Sequence, residues 1–316
     1  MAIKTRPMPK LYCSYFAKNP EIEIDQGNIN DWNCDNSTIS GKVLIQKYKD
    51  RAYNISNRNI YVPKLNGTTM INTGYRFFYN QTSLTFIDFQ KVPVRDNALR
   101  ESFSNCKKLH TVRNINNSIT NMYGCFMWCS SVTKFNGLKL PTNLIDMRET
   151  FYNCSSLNMS ITIPNKVQSM YQTFMNCTSF NSPITIPNSV TNMYRCFNNC
   201  QKLNQPITIP NSVTNIKEIF SNCRNLNAPI TIGTGINSTT NPSPFTNCWG
   251  FNSTVTIYST ELSTCSLNFP ASANKTKTVK IYYQYNNGIN TKTYSALKGQ
   301  DGHNGVKLVN MGRAPW

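Results

Sequence analysis

Hydroxyl side chains recur in this 316-residue sequence at a fixed interval. Thr162, Thr185, Thr208, Thr231 and Thr256 stand 23 or 25 residues apart, and the same phase upstream holds Asn114 and Lys139. In the clearest copies the threonine lies between two isoleucines, as in Ile207-Thr208-Ile209. Such alternation puts the isoleucines on one side of a strand and the threonine on the other. A row of hydroxyls with one amide and one ammonium can hydrogen-bond a repetitive ligand such as a polysaccharide. It holds no base that could activate a nucleophile. Threonine also suits a half-exposed strand on packing grounds alone, and both readings of the row stand at this point.

Residues suited to catalysis are scarce. His110 and His303 are the only histidines, and neither has a serine or cysteine near it in a nucleophile context. Between residues 151 and 260 Glu218 is the lone acid, so the paired carboxylates of glycoside hydrolysis cannot come from there. Asp88, Asp96, Glu101, Asp146 and Glu149 follow no spacing that would pair them. No enzymatic activity, cofactor or metal site is expected.

Seven of the twelve cysteines are periodic. Cys106, Cys129, Cys154, Cys177, Cys200, Cys223 and Cys248 lie 23, 25, 23, 23, 23 and 25 residues apart, each three residues after a phenylalanine. Buried free cysteine behaves as a small hydrophobe. A ladder of parallel Cβ vectors does not converge as a disulfide requires, so reduced thiols are expected. Cys125 and Cys196 have no zinc-knuckle spacing, and Cys13, Cys34 and Cys265 stand outside the ladder.

A period of this length is the signature of a stacked repeat. The clearest unit, ITIPNSVTNMYRCFNNCQKLNQP, begins at Ile184. Within it Val190, Met193, Phe197, Cys200 and Leu203 are spaced 3, 4, 3 and 3, one face of a short helix or a chain of helical turns. The strand Ile207-Thr208-Ile209 follows; Pro210 ends it, and Asn211 and Ser212 turn the chain. One short strand and one helical stretch per period is the leucine-rich-repeat plan.

The run ITIPNSVT, followed by an aromatic-x-x-Cys-x-x-Leu step, resembles the BspA-like (Treponema-type) leucine-rich repeats of bacterial surface proteins. Asn-Met-Tyr-x-x-Phe-x-Asn-Cys is also similar to a related repeat of low-GC bacteria. Phe78, 25 residues before Phe103, opens an eighth, degenerate unit, so the resemblance spans roughly residues 70–260. The expected fold is an α/β repeat: a leucine-rich-repeat solenoid of about eight turns of 23–25 residues with one parallel sheet, flanked by non-repeat ends. Phe, Cys, Met and Leu would form interior columns. Asn158, Asn181, Asn204, Asn227 and Asn252 would form a bonded column of their own. The half-exposed Tyr123, Tyr171 and Tyr194 would edge the core, as a binding stripe or as packing.

The ends divide by pattern. Residues 1–19 read as an extended basic arm, 20–69 as an N-terminal cap or small β region, and 261–316 as a C-terminal cap and tail. Charge is spread evenly: the net +18 divides into +4, +5, +4 and +5 over residues 1–65, 66–150, 151–260 and 261–316. That spread disfavours specific nucleic-acid recognition, which concentrates cations on one element. It suits an anionic surface, a glycan or an acidic protein as partner. No apolar run approaches the ~20 residues of a membrane span, and the first ten residues lack the apolar stretch of a signal peptide. Sequons at Asn153 and Asn176, directly before core cysteines, argue against a glycosylating route. The expected role is therefore a non-catalytic recognition or attachment protein. The placement is a phage virion, with the basic arm docking on other virion proteins, or an extracellular surface. The alternative is an adhesin or an interaction scaffold in the cytoplasm.

Overall fold

The computed structural model describes residues 38–40, 58–61, 70–72, 78–82, 84–89, 99–236, 243–258, 267, 279–283 and 306–310. The arm at 1–19, the run Lys42-Val43-Leu44-Ile45, which reads as a strand within the expected N-terminal cap, His303, Cys13, Cys34, Cys265 and the tail after residue 310 lie outside them. The chain forms two compact units, Met1–Leu144 and Ile145–Trp316.

In the first unit the strands are β1 (Thr38–Ser40), β2 (Arg58–Tyr61), β3 (Met70–Asn72), β4 (Leu84–Asp88) and β5 (Thr111–Arg113). β1 pairs with β3, and β2, β4 and β5 form a three-stranded sheet in that order. In the second unit β6 (Ile207–Ile209), β7 (Ile230–Ile232), β8 (Thr254–Ile257), β9 (Val279–Tyr283) and β10 (Val306–Asn310) form a five-stranded sheet in chain order. Every pairing is parallel. The expected single sheet is therefore divided. Residues 161–163 and 184–186 repeat the Ile-Thr-Ile of β6 and belong to no strand. The parallel register also continues outside the 70–260 span, back to Arg58 and on to Asn310.

The expected helical stretch is a chain of turns, with no α-helix among the described residues. Its cause is a left-handed residue at every fourth position, for instance Gln172 (φ 51°) and Asn176 (φ 62°). A helix cannot pass through such residues, and i→i−3 bonds close single turns in its place. Met175 N–H donates to the Gln172 carbonyl at 3.2 Å and Cys177 N–H to Phe174 at 3.0 Å. The alternate amides point to the next coil: those of Gln172, Phe174 and Asn176 donate to Tyr194, Cys196 and Asn198 at 2.8–2.9 Å. The ribbon thus satisfies its backbone half internally and half between coils. Of the seven residues directly before the periodic cysteines, all at positive φ, six are Asn and one is Trp128. Asn tolerates this region because its short amide bonds locally.

The phenylalanines form a column on the inner side of the ribbon. In the second unit Phe151, Phe174, Phe197, Phe220 and Phe245 stack at centroid spacings of 5.5–5.9 Å with interplanar angles of 4–20°. In the first, Phe78, Phe103 and Phe126 stack at 5.4 and 5.6 Å. All but Phe78 are fully buried. Down the ladder, periodic cysteines donate their S–H to the phenylalanine carbonyl one coil earlier: Cys177 to Phe151 at 3.0 Å, Cys200 to Phe174 at 3.1 Å, Cys223 to Phe197 at 3.0 Å. That bond gives a reason for cysteine, since an aliphatic side chain of similar size offers no donor.

Candidate binding groove

Three coils of the second unit turn from their Ile-Thr-Ile segments through a Pro-Asn pair, 164–165, 187–188 and 210–211. Val190 N–H bonds the Pro187 carbonyl, and Val213 N–H the Pro210 carbonyl, both at 3.1 Å. The serine hydroxyls of those turns reach one coil back, Ser189 to the Val167 carbonyl and Ser212 to Val190, both at 2.7 Å. At the fourth coil Gly233 and Gly235 stand where proline and serine did. A Cβ on Gly235 would collide with the Asn211 carbonyl oxygen. The coils are thus locked together at the turn that follows each threonine.

The threonines themselves are held differently. Across Thr162, Thr185, Thr208 and Thr231 runs an open groove of about 1060 Å³. Its walls are Ile161, Ile163, Ile184, Ile186 and Ile209 with prolines 183, 187, 206 and 210, and its remaining polar groups come from Ser160, Asn165, Asn188, Gln205, Asn211 and Tyr258. Among the described residues, no acidic or basic side chain lines it. Thr162, Thr185 and Thr208 are exposed and Thr231 half-buried, while the flanking isoleucines at 161, 163, 186, 207, 209, 230 and 232 are buried.

Among the described residues, neither hydroxyl nor backbone of Thr162 and Thr185 makes a hydrogen bond, and the hydroxyls of Thr208 and Thr231 make none. Threonines elsewhere in the unit are bonded: Thr173 to the Met147 carbonyl at 2.8 Å, Thr178 to Ser155 at 3.0 Å, Thr191 to Gln168 and Thr214 to Thr191 at 3.2 Å. In β6, the Ile207 N–H donates to Pro229 and the Ile209 carbonyl accepts from Gly233. Alternate residues of a parallel strand face opposite neighbours, so the amide and carbonyl of Thr208 point to the free edge.

Of the seven residues read from the sequence as one row, the structure brings four into the groove. Thr256 continues the register, paired with Thr231 and with Tyr282, but lies outside the groove. Asn114 and Lys139 belong to the first unit and are both exposed. Asn114, at φ 56°, follows β5 rather than lying at its centre, and the exposed residue of that strand is Arg113. Lys139 lies three residues after Asn136, which bridges to Thr111. The Asn114 shift arises because its segment lacks the Ile-x-Ile frame on which the alignment rests, whereas Lys139 stands in the matching frame Leu138-Lys139-Leu140-Pro141.

The tyrosines form a separate surface. Tyr171 and Tyr194 stack at 5.0 Å, with the Arg195 guanidinium 5.0 Å over the Tyr194 ring and bonded to Glu218 at 2.9 Å. Partial burial, the Tyr194 phenol and the Glu149 carboxylate together raise the Tyr171 phenol above its usual range. Burial pushes the Cys248 thiol up to about 12 and raises the thiols of Cys177, Cys200 and Cys223 as well, so they keep their protons. Such thiols are poor nucleophiles. Among the described residues no group of three His, Cys, Asp or Glu could hold a metal ion, and no helix is long and apolar enough to cross a membrane.

Sequence comparison places this geometry in a family. Residues 120–232, 145–258 and 187–279 match the family described as "Mycoplasma protein of unknown function, DUF285", together spanning half of the chain. Residues 50–170 match six copies of the BspA type leucine-rich repeat region. The chain belongs to the DUF285 family and carries BspA-type leucine-rich repeats. Neither family description names a catalytic activity. A leucine-rich repeat protein from Bacteroides ovatus ATCC 8483, solved at 1.19 Å, is similar over 80% of this chain and 68% of its own, at 20% identity and a TM-score of 0.47. No curated protein matches.

The sequence reads residues 278–283 as a strand that closes the sheet, and that strand is β9, paired with β8; β10, which pairs beyond it, was missed. Its signal is present: Val279-Lys280-Ile281 and Val306-Lys307-Leu308 repeat one pattern and pair in register.

Proposed function

We propose that this DUF285 protein is a non-catalytic recognition protein that holds an extended, uncharged ligand across the threonines of its second unit. The observation that carries the reading is the groove: four coils present hydroxyls that serve no bond of the fold, between apolar walls, without a charge. Repeat proteins use extended faces of this kind for binding. A surface location fits such a role. No observation favours a virion over a cell envelope. The even excess of cations adds a weak, salt-sensitive attraction to anionic surfaces outside the groove.

The test is retention of the purified chain on envelopes of the source cells. Placing two long cations in the groove, Thr185→Arg with Thr208→Arg, abolishes retention while the melting temperature holds. Retention unchanged by the two arginines refutes the groove as the binding face.

A further inference from the structure

Resting on that reading, we infer that the groove takes a neutral, extended β-linked glycan in coil-by-coil register, one sugar ring to each of Thr162, Thr185, Thr208 and Thr231. Three observations lead there. The first is spacing. Neighbouring coils lie 5.5–5.9 Å apart at the phenylalanine column, while an extended peptide rises ~3.3 Å per residue. A peptide laid across the coils falls out of phase with the hydroxyls within two of them. A pyranose ring with its glycosidic oxygen spans nearly one coil, so a straight β-1,4 chain stays in step.

The second is the pairing of surfaces. Pro183, Pro187 and Pro206 meet the C–H faces of sugar rings, while the threonine hydroxyls and the Asn165 and Asn188 amides meet the hydroxyl rim. The peptide groups of Thr162 and Thr185 add donors and acceptors that no strand takes up.

The third is charge. A uronic acid, a phosphate-bearing polymer or an acidic peptide would enter a groove with no cation to receive it. Desolvating those anions would cost more than the hydroxyls return. The proline pairs around each Ile-Thr-Ile segment also blunt the edge against strand addition, since proline cannot donate to a ladder.

The experiment is calorimetric titration of the full chain with β-1,4-linked oligomers of glucose, N-acetylglucosamine and mannose, each of two to six rings. Maltohexaose, whose α-1,4 chain curls, serves as the control. In at least one series affinity rises with each ring until the four coils are spanned and then levels off, and maltohexaose binds far more weakly. Thr185→Val with Thr208→Val weakens the longest oligomer about ten-fold, the loss of two net hydrogen bonds, and leaves the melting temperature unchanged. The inference is overturned if no series binds, if affinity does not depend on length, if maltohexaose binds equally, or if a neutral Thr/Ser-rich peptide binds with the same coil dependence. Should no sugar bind while Thr185→Arg with Thr208→Arg still releases the chain from envelopes, the glycan assignment fails and the groove reading stands. Should the arginines change nothing, both fail.

Discussion

Within the second unit, one coil carries two regions of opposite character. On the turn ribbon every kind of group is used: alternate amides bond within the coil and between coils, thiols bond carbonyls, and rings stack. The Asn amides there bond one another, Asn176 to Asn153 at 2.7 Å and Asn199 to Asn176 at 2.9 Å. On the threonine side, the same period brings hydroxyls, and at Thr162 and Thr185 peptide groups, that make no hydrogen bond among the described residues. Repetition alone therefore does not distinguish scaffold from site. What distinguishes them is whether the repeated group is satisfied inside the protein, and each region can be broken separately.

The largest effect is expected on the ribbon. Phe197 stacks between Phe174 and Phe220, and Phe197→Ala should cost about 3–5 kcal/mol, read as a lowered urea midpoint. Next comes the Asn column. Asn199 holds φ 60° and bonds Asn176, so Asn199→Ala should cost about 1–2 kcal/mol by denaturation, and Asn199→Gly clearly less, because glycine accepts that φ. Equal losses for the two substitutions would mean that the amide bond, and not the backbone, sets the choice of Asn. The smallest effect is expected at Trp128. It holds φ 65° with half its surface exposed, at a position where six coils carry Asn. Trp128→Asn should change stability by no more than about 1 kcal/mol, since the strain relieved offsets the half of the ring taken out of contact.

Much of the scaffold was legible in the sequence because each coil repeats its own chemistry. The Phe, Cys, Met and Leu columns followed from spacing, and the resemblance of the ITIPNSVT unit to BspA-type repeats agrees with the family match. The expected Asn column at Asn158, Asn181, Asn204, Asn227 and Asn252 is present, though each amide oxygen accepts from the backbone N–H of the next Asn, as in Asn204 to Asn181 at 2.8 Å, and not from its side chain. A second column, before the cysteines, was overlooked. Its signal was the Asn that precedes nearly every core cysteine, and the left-handed φ behind it is invisible to apolar spacing. That same φ turned the expected helical face into turns: 3, 4, 3 and 3 is also the spacing of consecutive three-residue turns. The groove was half legible. Register gave the threonines, but the failure of residues 161–163 and 184–186 to pair depends on how coils splay, which identical Ile-Thr-Ile segments do not encode locally.

Hydrogen exchange resolved to single amides tests the contrast between the two regions most directly. The account predicts slow, globally limited exchange at Phe174, Asn176, Phe197 and Asn199, whose amides bond the next coil. It predicts exchange faster by orders of magnitude at Thr162, Thr185 and Thr208. Equal protection at Thr185 and Phe197 would contradict it, because the sheet would then be closed across those coils and no groove would be left to fill.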